Sequence, residues 1–172
     1  MIAFWIFAII VLVFGFVVFT GAPYVPSQKR FLRQAFEQLY LLSDKDTLVD
    51  IGSGDGVVLR VAASYGAKAV GYEINPVLVA ITKFLSRGNS LVEAHVADVW
   101  RQHLPDSTTV IYVFGVTRDM KKFDTFFQGE ANRLERSLSV IGHGATFPHR
   151  SPEAQLNAHA LYIFHPLQPD EA

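Results

Sequence analysis

The residues with the most chemical potential stand in one short stretch, Val49-Asp50-Ile51-Gly52-Ser53-Gly54-Asp55-Gly56. Its three glycines alternate with Ser53 and Asp55, and Asp50 stands two positions ahead of the first. Glycine lets the backbone approach a ligand closely and take positive φ. In an open parallel sheet, a turn of this kind after a strand is where ligands bind. The spacing argues against two phosphate chemistries. A dinucleotide turn needs G-x-G-x-x-G, but Val57 occupies the third position, and no G-K-[ST] follows to make a P-loop. Carboxylates at Asp50 and Asp55 would repel a pyrophosphate and attract a cationic amino-acid group.

That charge pattern favours S-adenosylmethionine over a nicotinamide dinucleotide. Glu73 follows 17 positions after Gly56 and ends the next apolar run, where a carboxylate can accept both hydroxyls of a ribose. Asp98 follows the third run, where a carboxylate can receive the exocyclic amine of adenine while Val99 offers apolar contact to the ring. Each acid also has a plain structural reading: Glu73 as a solvated strand end, Asp98 as the cap of a helix beginning at Val99-Trp100.

The elements that must hold these residues alternate strand and helix. Strands are predicted at 47–51, 67–72, 90–96, 108–114, 139–146 and 159–164, with helices at 57–65, 76–86 and 118–136. Strands alternating with helices imply right-handed βαβ units and a doubly wound, mostly parallel, Rossmann-like α/β sheet. Ahead of them, Phe31, Leu32, Ala35, Phe36, Leu39 and Tyr40 recur at helical spacing, predicting an amphipathic helix from Ser27 to about Leu42.

Composition narrows the function classes. The 172 residues carry 15 Lys and Arg against 16 Asp and Glu, so the basic excess that drives non-specific nucleic-acid binding is missing and nucleic acid is a poor partner. The chain has no cysteine, which removes disulfides, thiolate metal sites and any cysteine nucleophile. Six histidines (His95, His103, His143, His149, His159, His165) show no ligand spacing, and no metal is expected. The first 22 residues hold no Asp, Glu, Lys or Arg. As a helix, residues 2–20 would extend roughly 28 Å, against about 30 Å of hydrocarbon. Lys29, Arg30 and Arg33 follow, which by the positive-inside rule predicts a single-pass span in the lipid bilayer with the folded domain on the cytoplasmic side. The expected organisation is an anchor over 1–22, a linker and amphipathic helix over 23–46, and a ligand-binding domain over 47–172.

Over roughly Leu48 to Phe164 the sequence resembles the class I S-adenosylmethionine-dependent methyltransferases. Within them it is similar to the small membrane-anchored protein-lysine methyltransferases that act on mitochondrial carriers and the ATP-synthase c-ring. The resemblance rests on the apolar N-terminus with Pro23-Tyr24-Val25-Pro26, on Asp50 through Gly56, and on Gly71-Tyr72-Glu73-Ile74-Asn75-Pro76. It continues in Val113-Phe114-Gly115-Val116 and in Ala145-Thr146-Phe147-Pro148, where Thr146 stands in place of the arginine of a Cys-Arg-Phe-Pro-like segment. The resemblance implies S-adenosylmethionine as cofactor, held by Asp50, Gly52, Ser53, Gly54, Asp55, Gly56, Glu73, Ile74, Asn75, Asp98 and Val99. It implies a lysine of a membrane-associated protein as acceptor. Tyr24, Phe114 and Phe147, with Pro148, can form an apolar wall around the amine or the sulfonium, and the three aromatics read equally well as ordinary core residues. No catalytic base is singled out. A lipid or quinone acceptor, or a non-catalytic cofactor-binding adaptor, fits the same residues.

Overall fold

The computed structural model describes residues 4–5, 28–115 and 119–167. Helix α1 (Lys29–Gln34) passes directly into a π-helical turn, Ala35–Leu39. Then β1 (Thr47–Ile51), α2 (Val57–Ala63), β2 (Lys68–Glu73), α3 (Pro76–Leu85) and β3 (Val92–Val96) alternate. A short 3-10 turn, Val99–Arg101, precedes β4 (Val110–Phe114), α4 (Met120–Arg133), β5 (Leu138–His143), β6 (Ala154–Leu156) and β7 (His159–Phe164).

The seven strands form one sheet in the order β3-β2-β1-β4-β5-β7-β6. β1 to β5 run parallel, while β7 is antiparallel to both β5 and β6. The order reverses direction at β1 and β4, the crevice where a ligand binds in such folds. The predicted α/β class therefore holds, with a mixed rather than purely parallel sheet. β6 was not anticipated, because three residues are too few to show an alternating pattern. The predicted strand 139–146 ends at His143, since Gly144 turns the chain at φ 65°.

Strands buried on both faces read as apolar runs, and β1 is buried at every position. One face packs Val49, Ile51, Ile111, Val113 and Val140 against Phe123, Phe127 and Ala131 of α4. The other packs Leu48, Val110, Tyr112 and Ile141 against Leu32 and Phe36 near the chain's start and Val58, Leu59 and Ala62 of α2. The segment following the expected linker thus lies against the domain itself. At the amino edge of the sheet, the Asp46 carboxylate accepts from Tyr40 Oη at 2.7 Å, Ser43 N at 2.9 Å and Thr109 Oγ1 at 2.8 Å.

The expected single-pass span and its cytoplasmic orientation require correction. Among the described residues no helix is long and apolar enough to cross a membrane. Apart from Phe4 and Trp5, residues 1–27 lie outside the described part, and with them most of that segment and Tyr24.

Candidate active site

The site is built from strand ends that reach one edge together. In register, Ile51 lies beside Tyr72 and Val113, Glu73 beside Val96, and Phe114 beside His143, which in turn faces His159. The glycine turn leaves β1 at the centre of this row. Gly52, Gly54 and Gly56 have φ of 75°, 54° and 77°, a region costly to any side chain. Both Gly52 N and Ser53 N donate to the Tyr72 carbonyl, at 2.9 and 3.2 Å.

Glu73 fastens the turn. Its Oε2 accepts Gly54 N–H at 3.0 Å and its Oε1 accepts Asn75 N–H at 2.8 Å. It is a buried group joining two strand ends, not a solvated end, and each oxygen keeps acceptor capacity for a further donor. Asn75 caps α3 by accepting Val77 N–H at 2.9 Å, ahead of Pro76 in the first turn. From α3, the fully buried Thr82 hydroxyl donates to Gly54 O at 3.0 Å. Thr82 was missed from sequence, although it is one of only two hydroxyl- or charge-bearing side chains in an otherwise apolar helix.

The acids divide in role. Asp50 is buried, and its carboxyl is held well above the usual range, first by burial and then by the charges of Glu73 and Asp55. Asp55 is partly committed elsewhere: its Oδ1 accepts Val57 N–H at 3.2 Å and its Oδ2 lies 3.7 Å from Arg60. Asp98 caps the 3-10 turn, Oδ1 accepting Trp100 N–H at 3.2 Å, with Oδ2 3.6 Å from Arg101 Nε and the side chain 43% exposed. The cap is real and leaves the second oxygen facing outward. Val99 behind it is buried, whereas Ile74 is exposed.

The residues offered for the acceptor wall stand in different surroundings. Phe147 is a core residue, packed on Tyr162 at 4.8 Å, Phe164 at 5.5 Å and Phe127 at 6.0 Å. Pro148 is exposed. Phe114 is half-buried and meets the His143 ring edge-on at 5.3 Å. His143 stacks on His159 at 4.6 Å, and His159 Nε2 lies 3.0 Å from Tyr112 Oη. Burial lowers the His143 pKa and, with the charge of His143, brings His159 down to about 4, so both rings are neutral near pH 7.

A Cβ at Gly52 would meet nothing within 4 Å, so the turn presents open space there. Among the described residues, Ser53 Oγ and Asn75 Nδ2 are buried without a hydrogen-bond partner. Buried polar atoms are normally satisfied, and two such atoms flanking an acid-lined turn fit a ligand that brings its own donors and acceptors. A zwitterionic, hydroxyl-bearing sulfonium nucleoside has that chemistry.

A sequence profile of the family described as "Methyltransferase domain" matches residues 49–137, more than half of the chain. The chain belongs to this family. The methyltransferase domain also resembles curated proteins named as lysine N-methyltransferases of the ATP synthase c-subunit. The identity is 31% to the rat protein (76% of this chain, 59% of that one), 31% to the human one (76% and 55%) and 32% to that of Xenopus laevis (76% and 57%). The chain spans little more than half the length of these relatives. Among solved structures, an RNA methyltransferase from Salinibacter ruber bound to S-adenosyl-L-homocysteine matches at TM-score 0.75 and 23% identity, over 85% of this chain and 97% of that one. The phosphoethanolamine N-methyltransferase 2 of Haemonchus contortus bound to S-adenosyl-L-methionine matches at TM-score 0.56 and 19% identity, over 76% and 31%. Likeness at this identity shows the methyltransferase fold. S-adenosylmethionine is the cofactor of the methyltransferase domain, in agreement with the reading of the turn.

Proposed function

We propose that this chain is an S-adenosylmethionine-dependent methyltransferase whose acceptor is the amine of a protein lysine. The observation that carries the reading is the glycine turn held by Glu73 beside the buried Asp50, within a family whose similar curated members are named as lysine methyltransferases. In this reading Glu73 takes the ribose hydroxyls, Asp98 and Val99 the adenine, Ile74 its exposed face, and Asp50 with Gly52, Ser53, Gly54, Asp55 and Gly56 the amino-acid portion.

When bound, S-adenosylmethionine supplies an electrophilic methyl group on a sulfonium sulfur. The chain's own residues position and desolvate. The Glu73 carboxylate lies under the turn, and a cationic ligand there favours ionisation of the buried Asp50 beside it. The fixed backbone of the turn orients it, so that the displacement needs little further ordering. The acceptor must arrive as a neutral amine. Removing its proton at pH 7.4 from an ordinary pKa near 10.4 costs about 4 kcal/mol, and a desolvated surround lowers that cost. Phe114 supplies an apolar ring at the end of β4, and neutral His143 beside it adds no positive charge to oppose the amine.

The test incubates the full chain with labelled methyl donor and a membrane protein extract, followed by mass spectrometry. Methyl-lysine is the expected product. Label recovered only in lipids or quinones would transfer the assignment to that acceptor class. Donor binding without any methyl transfer would establish a binding adaptor instead.

A further inference from the structure

Helix α3 buries only Val79 and Thr82 of its own residues, with its caps Asn75 and Ser86 buried at either end. Its outer face is apolar: Ile74 is 41% exposed, Val77 43%, Ile81 39%, Phe84 63% and Leu85 50%. The spacing 74, 77, 81, 84/85 puts these on one stripe of the helix. An apolar stripe on a helix with Lys and Arg at its margin is the pattern of a helix that lies on a lipid surface.

Charge and area indicate what covers it. Lys83 and Arg87 are the only charged residues between Glu73 and Glu93, and neither makes a salt bridge among the described residues. Arg87 lies over the Phe84 ring at 4.6 Å, its charge held at the margin of the stripe. Across a two-fold axis a second copy would bring the same two cations together with no acid from the stripe to pair them. A ten-residue helix is about 15 Å long, so a stripe about 10 Å wide offers on the order of 150 Å². A stable protein interface uses about 800 Å² per partner. A lipid surface demands neither that area nor a matched shape, and it rewards apolar side chains flanked by Lys and Arg.

We propose that the outer face of α3 is a lipid-docking surface selective for anionic headgroups. The contact runs along the headgroup plane, with Ile81, Phe84 and Leu85 entering the acyl boundary and Lys83 and Arg87 meeting the headgroups. Ile74 adjoins Glu73, so the cofactor turn lies at one end of the docked stripe.

Because the chain has no cysteine, one introduced thiol gives a clean reporter. Full-length Ile81→Cys carrying an environment-sensitive fluorophore is titrated with phosphatidylcholine–phosphatidylglycerol vesicles. The same label at Gln155→Cys, exposed on β6, is the control. The expected result is a blue shift at 81, quenched by brominated lipid, weakened by salt and by pure phosphatidylcholine, with position 155 silent. Lys83→Ala and Arg87→Ala should each weaken binding to the anionic vesicles roughly fivefold. No lipid response at 81 overturns the proposal and leaves a protein partner as the cover. A shift that grows with protein concentration in the absence of lipid overturns it in favour of self-association.

Discussion

Glu73 and Gly54 stand 19 positions apart in the chain, yet the carboxylate of one holds the backbone N–H of the other at 3.0 Å. The acid at the end of β2 therefore sets the shape of the turn at the end of β1 and offers its remaining acceptor capacity to whatever enters. Binding and shaping of the site are two functions of one side chain.

Glu73→Gln keeps one oxygen acceptor, whereas Glu73→Ala removes both and leaves Gly54 N–H and Asn75 N–H unsatisfied. Loss of a charged acceptor is worth about 1.5–3 kcal/mol, so affinity for S-adenosylhomocysteine should fall roughly 10- to 150-fold. Calorimetric titration should show this for both variants, and thermal unfolding should show the larger stability loss for Glu73→Ala.

Two glycines of the turn should separate stability from binding. A Cβ on Gly56 would lie 2.4 Å from Thr82 Cγ2, so Gly56→Ala combines positive-φ strain with overpacking and should cost about 2–5 kcal/mol of stability. Gly52→Ala meets open space and should cost only the backbone strain of about 1–2 kcal/mol, while obstructing the cofactor. Denaturant titration and ligand titration of the pair distinguish the two effects.

At Asp98 the cap and the proposed adenine contact can be separated. Asp98→Asn preserves an N-cap acceptor and should be nearly neutral in stability, whereas Asp98→Ala should cost about 1 kcal/mol. Cofactor affinity should follow the oxygen facing outward, falling more for alanine than for asparagine. Equal affinities in wild type and both variants would remove Asp98 from the binding site.

His159 gives the fold an acid sensitivity. Its pKa is lowered to about 4, so between about 6.5 and 4 the unfolded chain binds a proton that the native state refuses. Stability therefore rises with pH across this window and is lost as pH falls through it, by up to about 3 kcal/mol. His159→Phe should flatten that part of the stability–pH curve, read by denaturant titration.

Asp50 has the opposite sign. Its carboxyl is raised by burial and by Glu73 and Asp55, so the native state retains a proton that the unfolded chain has already lost. Its contribution lowers stability as pH climbs from the ordinary carboxylate range through the raised value. A cationic ligand favours the ionised form, so cofactor affinity should rise over the same window, with proton release on binding. Calorimetry in buffers of different ionisation enthalpy, below about pH 7 where an α-amino group stays protonated, should detect the released proton. Asp50→Asn should abolish it.

The central strands were legible because burial on both faces leaves long apolar runs, as in β1 and β4. β7 was read at its full extent, but its reversal was not, since direction leaves no mark on an apolar run. The glycine turn and the acid at 73 stood out in the sequence because glycines and carboxylates interrupt the apolar runs around them. The fastening of that turn was not legible, because the Gly54–Glu73 and Gly54–Thr82 bonds join positions far apart in sequence. Phe147 stayed open in the sequence because an aromatic beside a proline reads equally as rim or core, and it is buried in the structure. The exposed apolar stripe of α3 was hidden for a similar reason. A helix with apolar residues on most faces does not say which of them meets the sheet.

The Asp46 cluster has a mechanical consequence. Besides its three side-chain and turn partners, Asp46 O receives Lys68 N–H at 3.0 Å, and Thr47 N–H donates to Thr109 Oγ1 at 3.1 Å. The starts of β1, β2 and β4 are thereby riveted at the edge opposite the glycine turn. The glycine turn at the other end is tied as well, Gly52 and Ser53 to the Tyr72 carbonyl and Gly54 to Glu73 and Thr82. β1 is thus pinned at both ends, which holds its register while cofactor and product exchange. Amide exchange should be slow at Thr47–Val49 and at Gly52–Gly54 alike.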